Sequence, residues 1–306
     1  LNEYQAFFMK PSFLPAILQG DSRALARAIS LVENEQPGYT GFLESLPASS
    51  TRIIGITGAP GAGKSTLVDG LIEALVAKGK RVGVLCVDPS SPFNRGALLG
   101  DRIRMNRWYT HPQVFIRSLA TRGSLGGLHP KIIEISDVMK AFPFDHLVVE
   151  TVGVGQSEVE IAGLADVTVV VKVPEGGDEV QTMKAGLMEI ADIFVVNKAD
   201  RPEADLFVRN LRQMLAPAFG RHYREVPVIK TVASEGKGID ELLLVILHEL
   251  QKAHLGDNRF WLLAEKAYYL FGQRRMRDID KAVLKAEIEQ QFLRGGFNLY
   301  RYTAEK

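Results

Sequence analysis

The chain has 306 residues, 46% of them hydrophobic, and its 37 Lys and Arg nearly balance 36 Asp and Glu to leave a formal charge of +1. Such a chain can fill one large α/β core with appendages, and its balanced charge offers no global field for nucleic acid or an anionic membrane surface. The single cysteine, Cys86, excludes intramolecular disulfides and multi-cysteine metal sites, and no run of residues has the apolar length of a membrane span.

Residues 1–48 read as an N-terminal helical segment. Apolar residues recur at helical spacing from Ala16 to Val32, a polar loop follows near Glu33–Tyr39, and Pro47–Ser50 breaks the pattern. From 49 to 255, short β-branched runs alternate with helical patterns, which predicts an α/β domain: a mostly parallel sheet between two helical layers. The expected strands are Arg52–Thr57, Arg81–Val87, Val114–Ser118, His146–Glu150, Val167–Val173, Ile193–Val196 and Val228–Val232. Several are continuous apolar runs, as strands covered on both faces should be, and Cys86 inside one of them reads as a small buried hydrophobe. Ligands of such sheets gather beyond the carboxyl ends of the strands. Residues 256–306 are again helical, with one stripe of Phe260, Leu263, Ala264, Ala267 and Phe271 and a second of Met276, Ile279, Val283 and Ala286. This extension is either an appendage packed on the domain or a dimerisation arm.

The motifs fall where that rule places them. After the first strand come Gly58, Ala59, Pro60, Gly61, Ala62, Gly63, Lys64, Ser65 and Thr66, a complete P-loop followed by a helical pattern. Bare backbone N–H groups must close around a phosphate chain, which the glycines permit; Lys64 supplies a cation for the β- and γ-phosphates and Ser65 a hydroxyl for Mg²⁺. Asp88 ends the second strand and Asp101 closes a later loop; each is either a Mg²⁺ or water-organising acid or a turn residue. Glu150-Thr151-Val152-Gly153 ends the fourth strand with an acid near the metal shell and a glycine N–H near the γ-phosphate. Asn197, Lys198 and Asp200 follow the sixth strand. A carboxylate there accepts from both N1–H and the exocyclic amine of guanine, a donor pair that adenine lacks, so the expected nucleotides are GTP and GDP. Val232, Ala233 and Ser234 are placed for a supporting backbone contact to the base. Val154 stands where Ras-like GTPases carry the glutamine that positions water, and Gln156 comes two residues later. Either Gln156 reaches the catalytic water by a different loop path, or a partner or second subunit completes the site; slow turnover that rises with a partner is the expected outcome.

On these residues the chain resembles the methylmalonyl-CoA mutase-associated GTPases, the MeaB/ArgK type of SIMIBI-class P-loop protein. The resemblance rests on GAPGAGKST (58–66), VDPSSP (87–92), LGDRIRM (99–105), ETVGVGQSE (150–158), GGDEVQTMKAGLMEIAD (176–192) and NKAD (197–200). It implies a three-layer P-loop fold and a GTPase that gates adenosylcobalamin loading and protects an acyl-CoA mutase. It also implies Mg²⁺ held by Ser65, Asp88, Asp101 and Glu150, and catalytic parts for Lys64 and Lys184. The segment Gly176–Lys184 corresponds to a switch loop that speaks to the mutase, with Gln181 and Lys184 in it, and residues 256–306 to a homodimerisation arm. The family's setting is the bacterial cytoplasm, or the mitochondrial matrix in a eukaryote, and neither nucleic acid nor membrane is an expected partner. Two other readings stand beside it. A nickel-type metallochaperone would present Cys and His ligands, of which there are one cysteine and six scattered histidines. A small-molecule kinase would need an acceptor pocket with a base, and neither is visible in the sequence.

Overall fold

The computed structural model describes residues 13–88, 105–121, 128–153, 157–174, 188, 190–215, 226–252, 257–276, 279, 281–294 and 297–304. The chain divides into two compact units, Leu1–Arg259 and Phe260–Lys306.

The first unit is built on seven strands: β1 Arg52–Gly58, β2 Val82–Asp88, β3 Val114–Ala120, β4 His146–Glu150, β5 Val167–Lys172, β6 Ile193–Val196 and β7 Val228–Lys230. Every pairing is parallel, and the order across the sheet is β3-β2-β4-β1-β5-β6-β7. All seven expected strands form, with ends displaced by at most two residues. Successive side chains alternate between faces. Ile54, Ile56, Val84, Cys86, Val148, Val169, Val171 and Val195 share one core with Leu67, Leu71 and Leu75 of α4 (Lys64–Ala77) and Leu242, Leu243 and Ile246 of α8 (Ile239–Lys252). On the other face Val170, Phe194, Val196 and Val228 pack with Phe207, Val208 and Leu211 of α7 (Ala204–Leu215). Helices α5 (Ile132–Lys140) and α6 (Ser157–Leu164) complete the two outer layers. The result is a sandwich in which both sheet faces are dry.

The N-terminal pattern resolves into α1 (Phe13–Leu18), α2 (Ser22–Glu33) and α3 (Tyr39–Glu44). The single stretch expected from Ala16 to Val32 is broken at Gly20, where φ is +88°, and restarted by Asp21, whose carboxylate accepts from the N–H groups of Arg23 and Ala24 at 2.8 and 3.2 Å. That is an N-cap, which satisfies donors the first turn of a helix leaves open. Ion pairs from Glu33 to Arg117 of β3 and from Glu35 to Lys131, at the start of α5, hold this segment to the sheet and to one of its covering helices.

Parallel strands start without the tight turns that fix register in hairpins, and here aspartates take over that task. Asp145, Asp166 and Asp192 stand directly before β4, β5 and β6. Each donates its backbone N–H to a carbonyl at or just before the start of a neighbouring strand, Arg81, Ile53 and Thr168 respectively, at 2.8–3.0 Å. Each then accepts, through a carboxylate oxygen, the N–H of that same residue at 2.7–2.8 Å. Three two-bond clamps thus align β4 on β2, β5 on β1 and β6 on β5 at the end of the sheet opposite the motifs.

The second unit contains most of α9 (Asp257–Arg275), with α10 (Lys281–Leu293) and α11 (Leu299–Ala304). Tyr302 is buried and donates its hydroxyl to Glu287 at 2.7 Å, with Phe297 against its ring. Most of its other large apolar side chains are exposed, Tyr268, Leu293 and Tyr300 at 80% or more.

Candidate functional site

The carboxyl ends of β1, β2, β4 and β6 bring the sequence motifs to one edge of the sheet. Gly58 closes β1 in register with Val171 of β5. A Cβ on Gly58 would lie 2.2 Å from the Val171 carbonyl oxygen, so only glycine lets the P-loop leave the sheet here. The loop then turns through left-handed backbone at Gly61 and Gly63, φ +78° and +88°, and Lys64 opens α4. Phosphate oxygens are favoured at such a helix start, where N–H groups and the dipole point outward.

Lys64 and Ser65 are buried. The Lys64 ammonium donates to the carbonyls of Gly58 at 2.9 Å and Ala59 at 3.1 Å, so it lies folded over the loop it serves. The Ser65 hydroxyl donates to Oε1 of Glu150 at 2.8 Å. The register places Glu150 beside Ile56 of β1 and Cys86 of β2, and Asp88 closes β2 two residues beyond, also buried. A serine hydroxyl against a carboxylate, with a second carboxylate on the adjoining strand, is a set of hard oxygen donors, which fits Mg²⁺.

The acid-x-x-Gly segment runs along the P-loop as far as Gly153. Thr151 donates its N–H to the Ile56 carbonyl at 3.0 Å, and its hydroxyl pairs with that of Thr57 at 2.8 Å, both side chains fully buried. Gly153 has φ +87°; a Cβ there would meet the Gly58 oxygen at 2.2 Å and the Lys64 ammonium at 2.7 Å. This segment therefore leaves no room for a side chain between Gly153 and the Lys64 ammonium. The Thr57–Thr151 pair was not singled out from the sequence, although a threonine following the strand-end acid, opposite one in the P-loop strand, was the available signal.

Asn197 is buried at 3% exposure, and its amide joins three pieces of the site. Nδ2 donates to the Ala62 carbonyl of the P-loop at 2.9 Å, while Oδ1 accepts from the Thr231 hydroxyl at 3.0 Å and the Ala233 N–H at 3.1 Å. Lys198 follows in left-handed backbone, φ +57°, and Asp200 is exposed. Ala199 donates its N–H to the Thr231 carbonyl at 3.0 Å, which sets the Asn-Lys-Ala-Asp loop beside Val232, Ala233 and Ser234 at the start of a short 3-10 turn. The structure thus brings together the P-loop, Asp88, Glu150, Gly153, residues 197–200 and residues 232–234. Asp101, Gln156, Gln181 and Lys184 lie outside the described residues.

An all-parallel sheet that delivers a P-loop to one strand end, and a guanine-type Asn-Lys-x-Asp loop tied to it by a buried asparagine, defines a P-loop GTPase. The chain belongs to the family of methylmalonyl-CoA mutase-associated GTPases, MeaB, whose family model matches residues 25–259. It is 51% identical over 229 residues to a protein of Pyrococcus horikoshii named as a GTPase, a match that covers 73% of this chain and 72% of that relative. Over 256 residues it is 35% identical to the fused isobutyryl-CoA mutase of Geobacillus kaustophilus, covering 78% of this chain and 24% of that longer protein. Among solved structures, LAO/AO transport system kinase aligns with 96% of this chain and 92% of its own, with a TM-score of 0.68 and 27% identity. The chain is thus a GTPase that binds guanine nucleotide. Among the described residues, no helix is long and apolar enough to cross a membrane.

Proposed function

We propose that this GTPase gates the loading of adenosylcobalamin into an acyl-CoA mutase of the methylmalonyl-CoA type and protects that enzyme from inactivation. The observation that carries the proposal is the fused isobutyryl-CoA mutase, in which a segment like this chain is covalently part of a mutase. The family description, mutase-associated GTPase, points the same way.

In this reading Lys64 swings from the Gly58 and Ala59 carbonyls to the β- and γ-phosphates, exchanging two neutral acceptors for charged ones. Ser65, Asp88, Asp101 and Glu150 hold Mg²⁺, which when bound neutralises charge on the phosphates. Residues 58–66 close their N–H groups on the phosphate chain, and Asp200 reads the guanine edge beside Lys198 and residues 232–234. Asn197 keeps base loop and phosphate loop at a fixed separation. Because Gly153 rests on the P-loop and on Lys64, the segment from Glu150 onward senses the lysine's position. Gln156 positions the attacking water only slowly by itself, and segment 176–184, with Gln181 and Lys184, relays the nucleotide state to the mutase. The second unit is a homodimerisation arm, a role that suits its exposed Tyr268, Leu293 and Tyr300.

The test is GTP turnover by the full chain alone and with a cobalamin-dependent acyl-CoA mutase from the same host, each tracked for cofactor loading. Stimulated turnover together with nucleotide-dependent loading is expected. Equal turnover with and without the mutase, and loading indifferent to GTP, would refute the proposal.

A further inference from the structure

The P-loop helix α4 carries a second set of contacts that the site above does not use. Asp69 and Glu73 stand one and two turns beyond Ser65, so they share its face of the helix. Asp69 Oδ1 accepts the indole N–H of Trp108 at 2.6 Å and the Nε–H of Arg107 at 3.2 Å. Its Oδ2 accepts from Arg107 Nη2 at 2.7 Å, and the same nitrogen reaches Glu73 Oε2 at 2.8 Å. The guanidinium also stacks over the Trp108 ring at 4.6 Å.

An exposed arginine–carboxylate pair by itself contributes little. Here the carboxylate also satisfies the N–H of a tryptophan that is only 7% exposed and belongs, with fully buried Met105, to the core under α4. A buried indole donor left without an acceptor is costly, which makes Asp69 an obligatory partner for Trp108. The hydrogen bond that Arg107 donates to Asp69, with Glu73 adding to it, also holds the guanidinium more firmly protonated than usual. Arg107 and Trp108 are therefore lashed to the second and third turns of the helix whose opening residues are Lys64 and Ser65. In sequence, Asp101 stands just four residues before Met105.

We propose that Asp69 is a positioning residue for GTP turnover: through Arg107 and Trp108 it fixes residues 105–108, which follow Asp101 in sequence, onto the P-loop helix. Phosphate binding at the start of α4 is thereby coupled to the placement of residues 105–108. The proposal rests on the GTPase reading and goes beyond it in assigning a function to a cluster that touches no substrate.

The experiment uses the full chain with Trp261→Phe, which leaves Trp108 as the single tryptophan reporter. In this background a non-hydrolysable GTP analogue with Mg²⁺ changes Trp108 emission relative to GDP. Asp69→Asn keeps the side chain's size and an oxygen for the indole but loses the charge that gathers Arg107. Its kcat falls roughly tenfold while GDP affinity stays within about twofold, and the nucleotide-dependent change in emission disappears. Arg107→Gln, at a half-exposed side chain, repeats the test without disturbing the core. An unaltered kcat and an intact emission change in both variants would overturn the proposal, as would parallel losses of kcat and GDP affinity, the mark of general damage. A background chain that binds GDP yet fails to hydrolyse GTP counts against the GTPase reading instead. The emission arm requires binding alone and still decides the clamp.

Discussion

Replacing Asn197 by Ala tests the idea that one buried amide holds the nucleotide site together. Three hydrogen bonds disappear, to the Ala62 carbonyl, the Thr231 hydroxyl and the Ala233 N–H. A typical intramolecular bond contributes about 1 kcal/mol net, and leaving its buried partner unsatisfied raises the loss to about 1–3 kcal/mol. Water entering the space left by the amide recovers part of that, so the expected cost is about 3–4 kcal/mol. For a domain of this size about 2–4 °C is lost per kcal/mol, hence a fall of roughly 6–16 °C in Tm. Thr231→Val removes one of the three bonds and should cost about 1 kcal/mol. The assays are thermal melts without nucleotide and titration with a fluorescent GDP. Because the lost tether frees Ala62 of the P-loop, GDP affinity should fall more in Asn197→Ala than in Thr231→Val. A loss in Asn197→Ala no greater than in Thr231→Val would refute the reasoning, since the two tethers beyond Thr231 would then carry nothing.

Asp200→Asn cannot accept from both guanine donors, so GTP affinity should drop roughly 10–100-fold, the loss of hydrogen bonds to a charged group. The same variant should gain affinity for xanthosine triphosphate, whose C2 oxygen accepts from the new amide; competition between the two nucleotides measures both. Gly153→Ala forces a Cβ to within 2.2 Å of the Gly58 oxygen at φ +87°, and turnover should fall at least tenfold even where GDP still binds. Acid should destabilise the first unit in two stages. Burial holds the His146 imidazole below its ordinary value, so its contribution is present above about pH 6.5 and is lost as pH falls through the lowered folded value. Burial pushes the Asp145 carboxyl up, but the Arg81 N–H and Lys80 outweigh it and the net shift is downward. Its contribution is therefore present above about pH 3.9 and fades below it. His146→Leu should flatten the first stage in urea melts across pH and leave the second intact.

The strands and the place of the P-loop between β1 and α4 were legible because they depend on local signals. Continuous runs such as Val167–Val173 can satisfy their backbone only inside a sheet, and a complete P-loop between strand and helix has few other uses. The break at Gly20 was harder to see, since apolar spacing runs straight through it and only the cap by Asp21 separates two helices. Asn197 reads in sequence as one member of a base-recognition motif, yet its visible bonds all go to protein. That role depends on Ala62 and Thr231, 135 and 34 residues away, being brought to it by the fold. The Asp69–Arg107–Trp108 cluster was invisible for the same reason: none of its members lies in a motif, and 38 or 39 residues separate the pair partners.

The aspartates before β4, β5 and β6 divide the labour of the sheet between its two ends. Strand alignment is fixed at the end where Asp145, Asp166 and Asp192 grip their neighbours, far from anything a nucleotide touches. Substitutions, insertions or rearrangements in the loops at the opposite end therefore do not disturb which residues face which layer. A lineage built on this frame is free to retune what its GTPase answers to while inheriting the same core unchanged.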